Sequence, residues 1–303
     1  MKIIDSHLHL FRNEEIGVLA QGGEKSVGLS GTLEELQAIL DRGRICSALA
    51  IATVATELGR RLEMMGWPRD LSSTARAERE RELEQKLLSN ALAESEWICS
   101  ATREDERLEP VMFAAPTLAG DAVAVDIEDK VERFDLKALK IHPALDFVLP
   151  THPGYGPIFE IAQDRGLIVI SHGGDSEGGP YESEIDYCAP KNFAKVLDDF
   201  PRLRLVVAHV GYPYLDDFVE VASTHSNLYT DLSFVLSREG VEMEPLLHAL
   251  RGVGFDRVLF GTDFPYFDPE ACVDRLEALG LSADEMERIT WKNPVRLFGL
   301  PEA

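Results

Sequence analysis

Residues 203–209 read Leu-Arg-Leu-Val-Val-Ala-His, a mostly apolar run that stops at a histidine. Residues 167–172, Leu-Ile-Val-Ile-Ser-His, repeat that form, and residues 257–263, Arg-Val-Leu-Phe-Gly-Thr-Asp, end it in an aspartate. A run apolar on both faces fits a parallel strand covered on both sides. Working outward, similar runs recur at Ile3-Ile4, Cys46–Ala52, Pro110–Ala114, Leu136–Ile141, Leu167–Ser171, Leu203–Ala208, Asn227–Asp231 and Arg257–Gly261. Longer amphipathic stretches separate them. Eight strands with intervening helices predict an α/β fold, a (β/α)8 TIM barrel forming one domain over 1–303. An open, doubly wound sheet is the alternative.

Two stretches depart from a minimal barrel. Gly22–Gly31 is glycine-rich and reads as a loop on the C-terminal rim. The region around 56–108 reads as a helical insertion. Within it Ala75–Ser95 is dense in Glu, Arg, Leu and Ala, and its leucines at 83, 87, 88 and 92 have helical spacing. A solvated outer helix is the plain reading, and a lid or partner-binding helix is the other.

The 303 residues are 45% hydrophobic and 27% charged, which excludes a disordered or fibrous chain. Thirty basic against fifty-three acidic residues give a net charge of -23. Phosphate backbones and anionic membranes need Lys and Arg clusters, so neither nucleic acid nor a membrane is the expected partner. A small-molecule substrate is. Cys46, Cys99, Cys188 and Cys272 are scattered, with neither a CxxC pair nor a disulfide framework. No run of about 18 apolar residues exists, and the first residues lack the apolar core of a signal peptide. The expectation is a cytoplasmic protein.

His7 and His9 lie two apart in Asp5-Ser-His-Leu-His9, so a strand there points both imidazoles to one face. His172, His209 and Asp263 end three other runs. Barrel enzymes carry their sites at the C-terminal ends of the strands. Five residues able to bind metal or move protons therefore gather at one end of four strands.

These motifs resemble the amidohydrolase superfamily: D-x-H-x-H at the first strand, S-H-G after the fifth, A-H-x-G after the sixth and G-T-D-F-P after the eighth. Lys140-Ile-His-Pro143 and the ending N-P-x-R-L-F-G-L, Asn293–Leu300, look like its amidohydrolase-related branch, which holds aminocarboxymuconate-semialdehyde decarboxylase-like enzymes and lactonases. The resemblance covers nearly the whole chain. It implies that His7, His9, His172 and Asp263 hold one divalent metal ion and that His209 is a second catalytic residue facing substrate. It also implies a homodimer. Imidazoles with a carboxylate suit Zn2+ and also admit Mn2+. A second ion, bridged by a carboxylated Lys140, is the alternative.

Lys140 and His142 share a face of the fourth strand. Lys140 reads as a bridge, as an ammonium for a substrate carboxylate, or as a structural ion pair. Arg12, Lys140, His142 and Tyr212 are the substrate-binding candidates, with Asp175, Tyr181 and Tyr187 weaker ones in the loop after the fifth strand. Asp5 and Asp231 read as carboxylates that orient a neighbour. His152, His225 and His248 read as surface or core histidines.

The leading expectation is a metal-dependent hydrolase acting on a lactone, amide or ester of a small carboxylated substrate. A metal-activated water would attack the carbonyl, Asp263 would relay its proton, and His209 would polarise the carbonyl. Non-oxidative decarboxylation of an aromatic or muconate-type acid is the alternative, and metal-independent lactone hydrolysis is a further one.

Overall fold

The computed structural model describes residues 1–118, 120–175 and 183–301. Its strands are β1 (Ile4–His9), β2 (Ser47–Ile51), β3 (Leu108–Phe113), β4 (Ala138–Ile141), β5 (Ile168–Ser171), β6 (Arg204–Val207), β7 (Leu228–Asp231) and β8 (Val258–Leu259). They pair in parallel, each with the next in sequence. Backbone bonds close the ring. Ser6 N–H donates to Phe260 O at 2.9 Å, Asp263 N–H to His7 O at 2.9 Å and His9 N–H to Phe264 O at 2.7 Å. The sequential order and this closure make the fold a TIM barrel, not an open doubly wound sheet.

Period two decides which side chains enter the barrel. Ile4, Leu49, Ile51, Val111, Ala138, Ile168, Ile170, Val206 and Leu259 fill the interior. Their alternates Ala48, Ala50, Met112, Leu139, Val169, Leu205 and Val258 pack outward under the helices. Val295, Leu297 and Phe298 near the C-terminus join the interior group. Asn293 Nδ2 secures that segment, donating to Phe255 O and Val258 O at 2.7 Å each. The N-P-x-R-L-F ending thus packs against the barrel's interior.

Between β2 and β3 run two helices, Thr56–Met65 and the 30-residue Ser73–Thr102. The longer one buries Leu83, Leu87, Ile98 and Cys99 and exposes most of its charges. Among the described residues no helix is long and apolar enough to cross a membrane. The four cysteines are free thiols.

The turn after β4 contains a buried acid. Tyr155 O–H donates to Asp146 Oδ2 at 2.8 Å, while Asp146 Oδ1 is buried with no hydrogen-bond partner among the described residues. Burial pushes the Asp146 carboxyl up from 3.8 to about 8, against the pull of the Tyr155 hydrogen bond. Between those values the folded protein keeps a proton that the unfolded chain gives up. Stability therefore falls as pH rises through that window, by at most about 1.4 kcal/mol per pH unit. Asp146→Asn is expected to remove this slope, so its stability relative to wild type should grow between about pH 5 and pH 8 in denaturant titrations. Parallel pH profiles for the two proteins would contradict the assignment.

Candidate metal centre

A bulge decides where β1 points. Asp5 pairs with Ala48 and Leu8 with Ala50, so three steps on β1 span two on β2. Ile4 faces the interior before the bulge. After it the alternation is shifted, and Leu8 and Leu10 pack outward. His7 and His9 consequently look into the barrel mouth. Lys140 and His142 follow Ala138 inward on β4, and His172 follows Ile168 and Ile170 on β5.

One nitrogen each of His7 and His9 and a carboxylate oxygen of Asp263 lie within 4.8 Å of one another. His9 Nε2 is 3.2 Å and His7 Nε2 3.7 Å from Asp263 Oδ1. The neighbouring groups set the tautomers. Asp231 Oδ2 lies 2.8 Å from His7 Nδ1, so that nitrogen carries the proton and Nε2 keeps its lone pair. Lys140 Nζ donates to that lone pair at 3.1 Å. His9 Nδ1 meets Thr53 Oγ1 at 3.0 Å. The bare Nε2 of His7, the Nε2 of His9 and a carboxylate oxygen of Asp263 thus converge, and imidazoles with a carboxylate are a donor set that a divalent cation fits.

His172 approaches from β5 but stands outside the tight group. Its Nδ1 is 3.3 Å from His209 Nε2. His209 Nδ1 is 3.0 Å from Ser233 O, and a carbonyl can only accept. The His209 proton is therefore on Nδ1, its Nε2 accepts, and the His172 proton is on Nδ1. That leaves His172 Nε2 as the lone pair. His209 sits where the chain leaves β6 in a left-handed turn, with φ 61° at His209 and 53° at Val210. Asp263 is left-handed too, at φ 59°. Such residues cost about 1–3 kcal/mol each and concentrate at functional sites.

Asp231 joins these parts. Its Oδ1 accepts His209 N–H and Ser233 N–H, each at 3.1 Å, and the Ser233 hydroxyl as well. Burial would raise its carboxyl, but the charge and hydrogen bond of His7, with His209 and Ser233, hold it far below the usual range. Asp263 is likewise held low against burial, by the His9 hydrogen bond and the charges of His209, His9 and His7. Asp5 fastens β1 to the loop after β8, accepting His7 N–H at 3.2 Å, Thr262 N–H at 3.0 Å and Thr262 O–H at 2.5 Å. Burial raises the Asp5 carboxyl to about 7, with the Thr262 bond opposing. Burial also lowers the pKa of His7, His9, His142, His172 and His209.

Lys140 is wholly enclosed, and burial lowers it to about 8 against the pull of Asp231 and Asp263. Among the described residues it makes no ion pair, so the structural ion-pair reading finds no partner. Thr53, Ser233 and Thr262 are the site residues that sequence reasoning missed. Glycine also matters here: a Cβ on Gly261 would stand 2.8 Å from His7 Cβ.

The other candidates are spread around this centre. Arg12 donates from Nε to Glu94 Oε2 at 2.6 Å and from Nη2 to Ala93 O, with Trp97 5.6 Å from its guanidinium. It ties the β1 exit to the helix Ser73–Thr102. Tyr212 packs half-buried against the outer core, and its carbonyl accepts Asp175 N–H at 3.2 Å. Tyr187 meets Phe147 edge-on at 6.5 Å. Tyr181 lies outside the described residues. His152 caps a turn, His225 pairs with Asp198 at 3.1 Å, and His248 is on an exposed helix face.

The family model for amidohydrolases matches residues 4–300. The chain belongs to the amidohydrolase family, and it is an enzyme of that superfamily. Among solved structures it is similar to a dihydroxybenzoic acid decarboxylase from a Polaromonas species with bound manganese. That pair is 15% identical, covers 100% and 98% of the two chains and has a TM-score of 0.72. A zinc-bound amidohydrolase from Burkholderia multivorans is 14% identical over 99% and 100%, with a TM-score of 0.66. Among characterised relatives, gamma-resorcylate decarboxylase from a Polaromonas species is 25% identical over 120 residues. That match spans 35% of this chain and 37% of the relative.

Asp231→Asn tests the tautomer argument. An amide N–H facing His7 Nδ1 favours the other tautomer and removes the Nε2 lone pair. Zinc affinity should fall roughly 10–100-fold, the scale for lost outer partners. An unchanged zinc dissociation constant in the folded variant would contradict it.

Proposed function

We propose that this enzyme hydrolyses a lactone, amide or ester of a small carboxylated substrate, using one divalent ion held by His7, His9, His172 and Asp263. Zinc or manganese suits that donor set. The observation that carries the reading is the distribution of protons. Near neutral pH the five buried histidines are neutral and Asp263 is ionised. Lys140 is the one proton-rich group among these residues. A site rich in acceptors favours taking a proton from water over delivering one to carbon.

A divalent ion there supplies Lewis acidity to a carbonyl oxygen and lowers the pKa of water. Asp263 accepts the proton as the water oxygen bonds to the carbonyl carbon. It then returns that proton to the leaving oxygen or nitrogen as the bond to carbon breaks. The tautomer of His209 leaves no N–H on Nε2, so polarising the carbonyl passes from His209 to the Lys140 ammonium. His209 instead holds His172 Nδ1. His9 and Asp263, each only 8% exposed, leave little room for bulk water, which strengthens these contacts.

Lys140 has a second use, as the anchor for a substrate carboxylate. A free ammonium in this role goes with one ion, whereas a carboxylated Lys140 would go with two. The lone pair of His7 Nε2 cannot serve Lys140 and a metal together. With His7 Nε2 given to an ion, the Lys140 ammonium would be left to pair with a substrate carboxylate.

A second reading is decarboxylation of a hydroxylated aromatic acid. The decarboxylases among the similar proteins favour it. The bond from ring carbon to carboxylate would break, carbon dioxide would leave, and Lys140 would donate the proton to carbon.

Reaction in 18O-labelled water separates the two, over a panel of carboxylated lactones, esters, amides and hydroxybenzoates. Hydrolysis places one labelled oxygen in the product and releases no carbon dioxide. Release of carbon dioxide with no label in the organic product would overturn it. Lys140→Met should raise KM at least about tenfold for carboxylated substrates, the worth of about one charge-assisted hydrogen bond. An unchanged KM would remove Lys140 from substrate binding.

A further inference from the structure

His142 offers two features, and they point different ways from its expected place in substrate binding. First, its Nδ1 accepts Leu145 N–H at 3.2 Å, which caps the turn Pro143–Asp146. That nitrogen is committed to the backbone. Second, its ring lies flat on His172, with centroids 4.2 Å apart and planes 7° from parallel. The β4–β5 pairing brings them level, since His172 N–H donates to Ile141 O at 3.1 Å. His142 is not in the tight group of His7, His9 and Asp263.

A neutral imidazole has two soft restraints to set, its tautomer and its rotation about Cβ–Cγ. His209 sets the tautomer of His172 through Nδ1. That bond restrains the ring at one edge only and leaves a residual swing, with the His209 ring 5.0 Å away at 67° to it. A parallel ring at van der Waals distance blocks the swing, because any rotation drives one edge of His172 into His142. Flat contact between aromatic rings is itself favourable.

We propose that His142 is a positioning residue that fixes the plane in which His172 presents Nε2 to the metal ion. This rests on the ligand set given above. The stack and the cap belong to one side chain, yet two substitutions part them. His142→Phe keeps a flat ring and loses the Nδ1 acceptor. His142→Asn keeps an acceptor for Leu145 N–H and loses the ring.

The test uses the full-length protein, stripped of metal and titrated with zinc against a chromogenic chelator. Cobalt(II) absorption reports the geometry independently. His142→Phe should bind zinc within about threefold of wild type with an unaltered cobalt spectrum. His142→Asn should bind at least about tenfold more weakly with a shifted spectrum, the scale on which outer partners act. His142→Met, bulky but without a flat ring, should follow Asn and stands in if Asn fails to fold.

Wild-type zinc affinity in folded Asn and Met variants would overturn the proposal. So would a Phe variant as weak as the Asn one, since a flat ring at this position would then not be enough to hold His172. His172→Ala distinguishes the underlying reading. If wild type binds zinc and His172→Ala binds it equally well, the ligand set is wrong. If His172→Ala loses zinc while Asn and Met do not, only the role of His142 fails.

Discussion

Asp231 spans the two halves of the site with one carboxylate. Its Oδ2 faces His7 Nδ1 at 2.8 Å, and its Oδ1 takes the backbone of His209 at 3.1 Å. A buried carboxylate is costly unless hydrogen bonds satisfy it, and here the histidines and Ser233 do so. In return it dictates which nitrogen of His7 is bare. His209, held in its left-handed turn, dictates the same for His172. The positions of protons, more than of side chains, therefore make the centre a place for a cation. The bulge in β1 is the other half of this constraint, because without it His7 and His9 would face the helices.

Burial then sets the chemistry. The same desolvation that keeps the histidines neutral lowers Lys140 to about 8. His7, His9, Asp263 and the Lys140 ammonium form a compact, buried set. The similar proteins include a decarboxylase and an amidohydrolase, and function belongs to the site rather than to the barrel.

Much of this was legible in the chain. The apolar runs from Cys46 onward fall on β2–β8, because parallel strands buried on both faces must be apolar throughout. β1 was harder. Only Ile3-Ile4 read as apolar, yet the strand runs to His9, and its buried Asp5, His7 and His9 are tolerated because each has a hydrogen-bond partner. The helical insertion was visible in its leucine spacing. Asp5 and Asp231 were read as orienting groups, and each is one. What one-dimensional reading could not give was the bulge, since nothing in Asp5-Ser-His-Leu marks an extra residue. Thr53, Ser233 and Thr262 were hidden because ordinary hydroxyls gain meaning only from neighbours on other strands. Arg12 looked like a substrate ligand, but its partner Glu94 lies 82 residues away on the insertion. The flat stack of His142 on His172 likewise follows from strand pairing, not from spacing.

The central claim is that the histidine lone pairs and Asp263 converge to hold one divalent ion. Elemental analysis of the protein purified without chelators, beside its Asp263→Ala variant, tests it most directly. The account requires about one zinc or manganese per chain in the wild type and a clear loss in the variant. No metal in the wild type, with none taken up on addition, would contradict it.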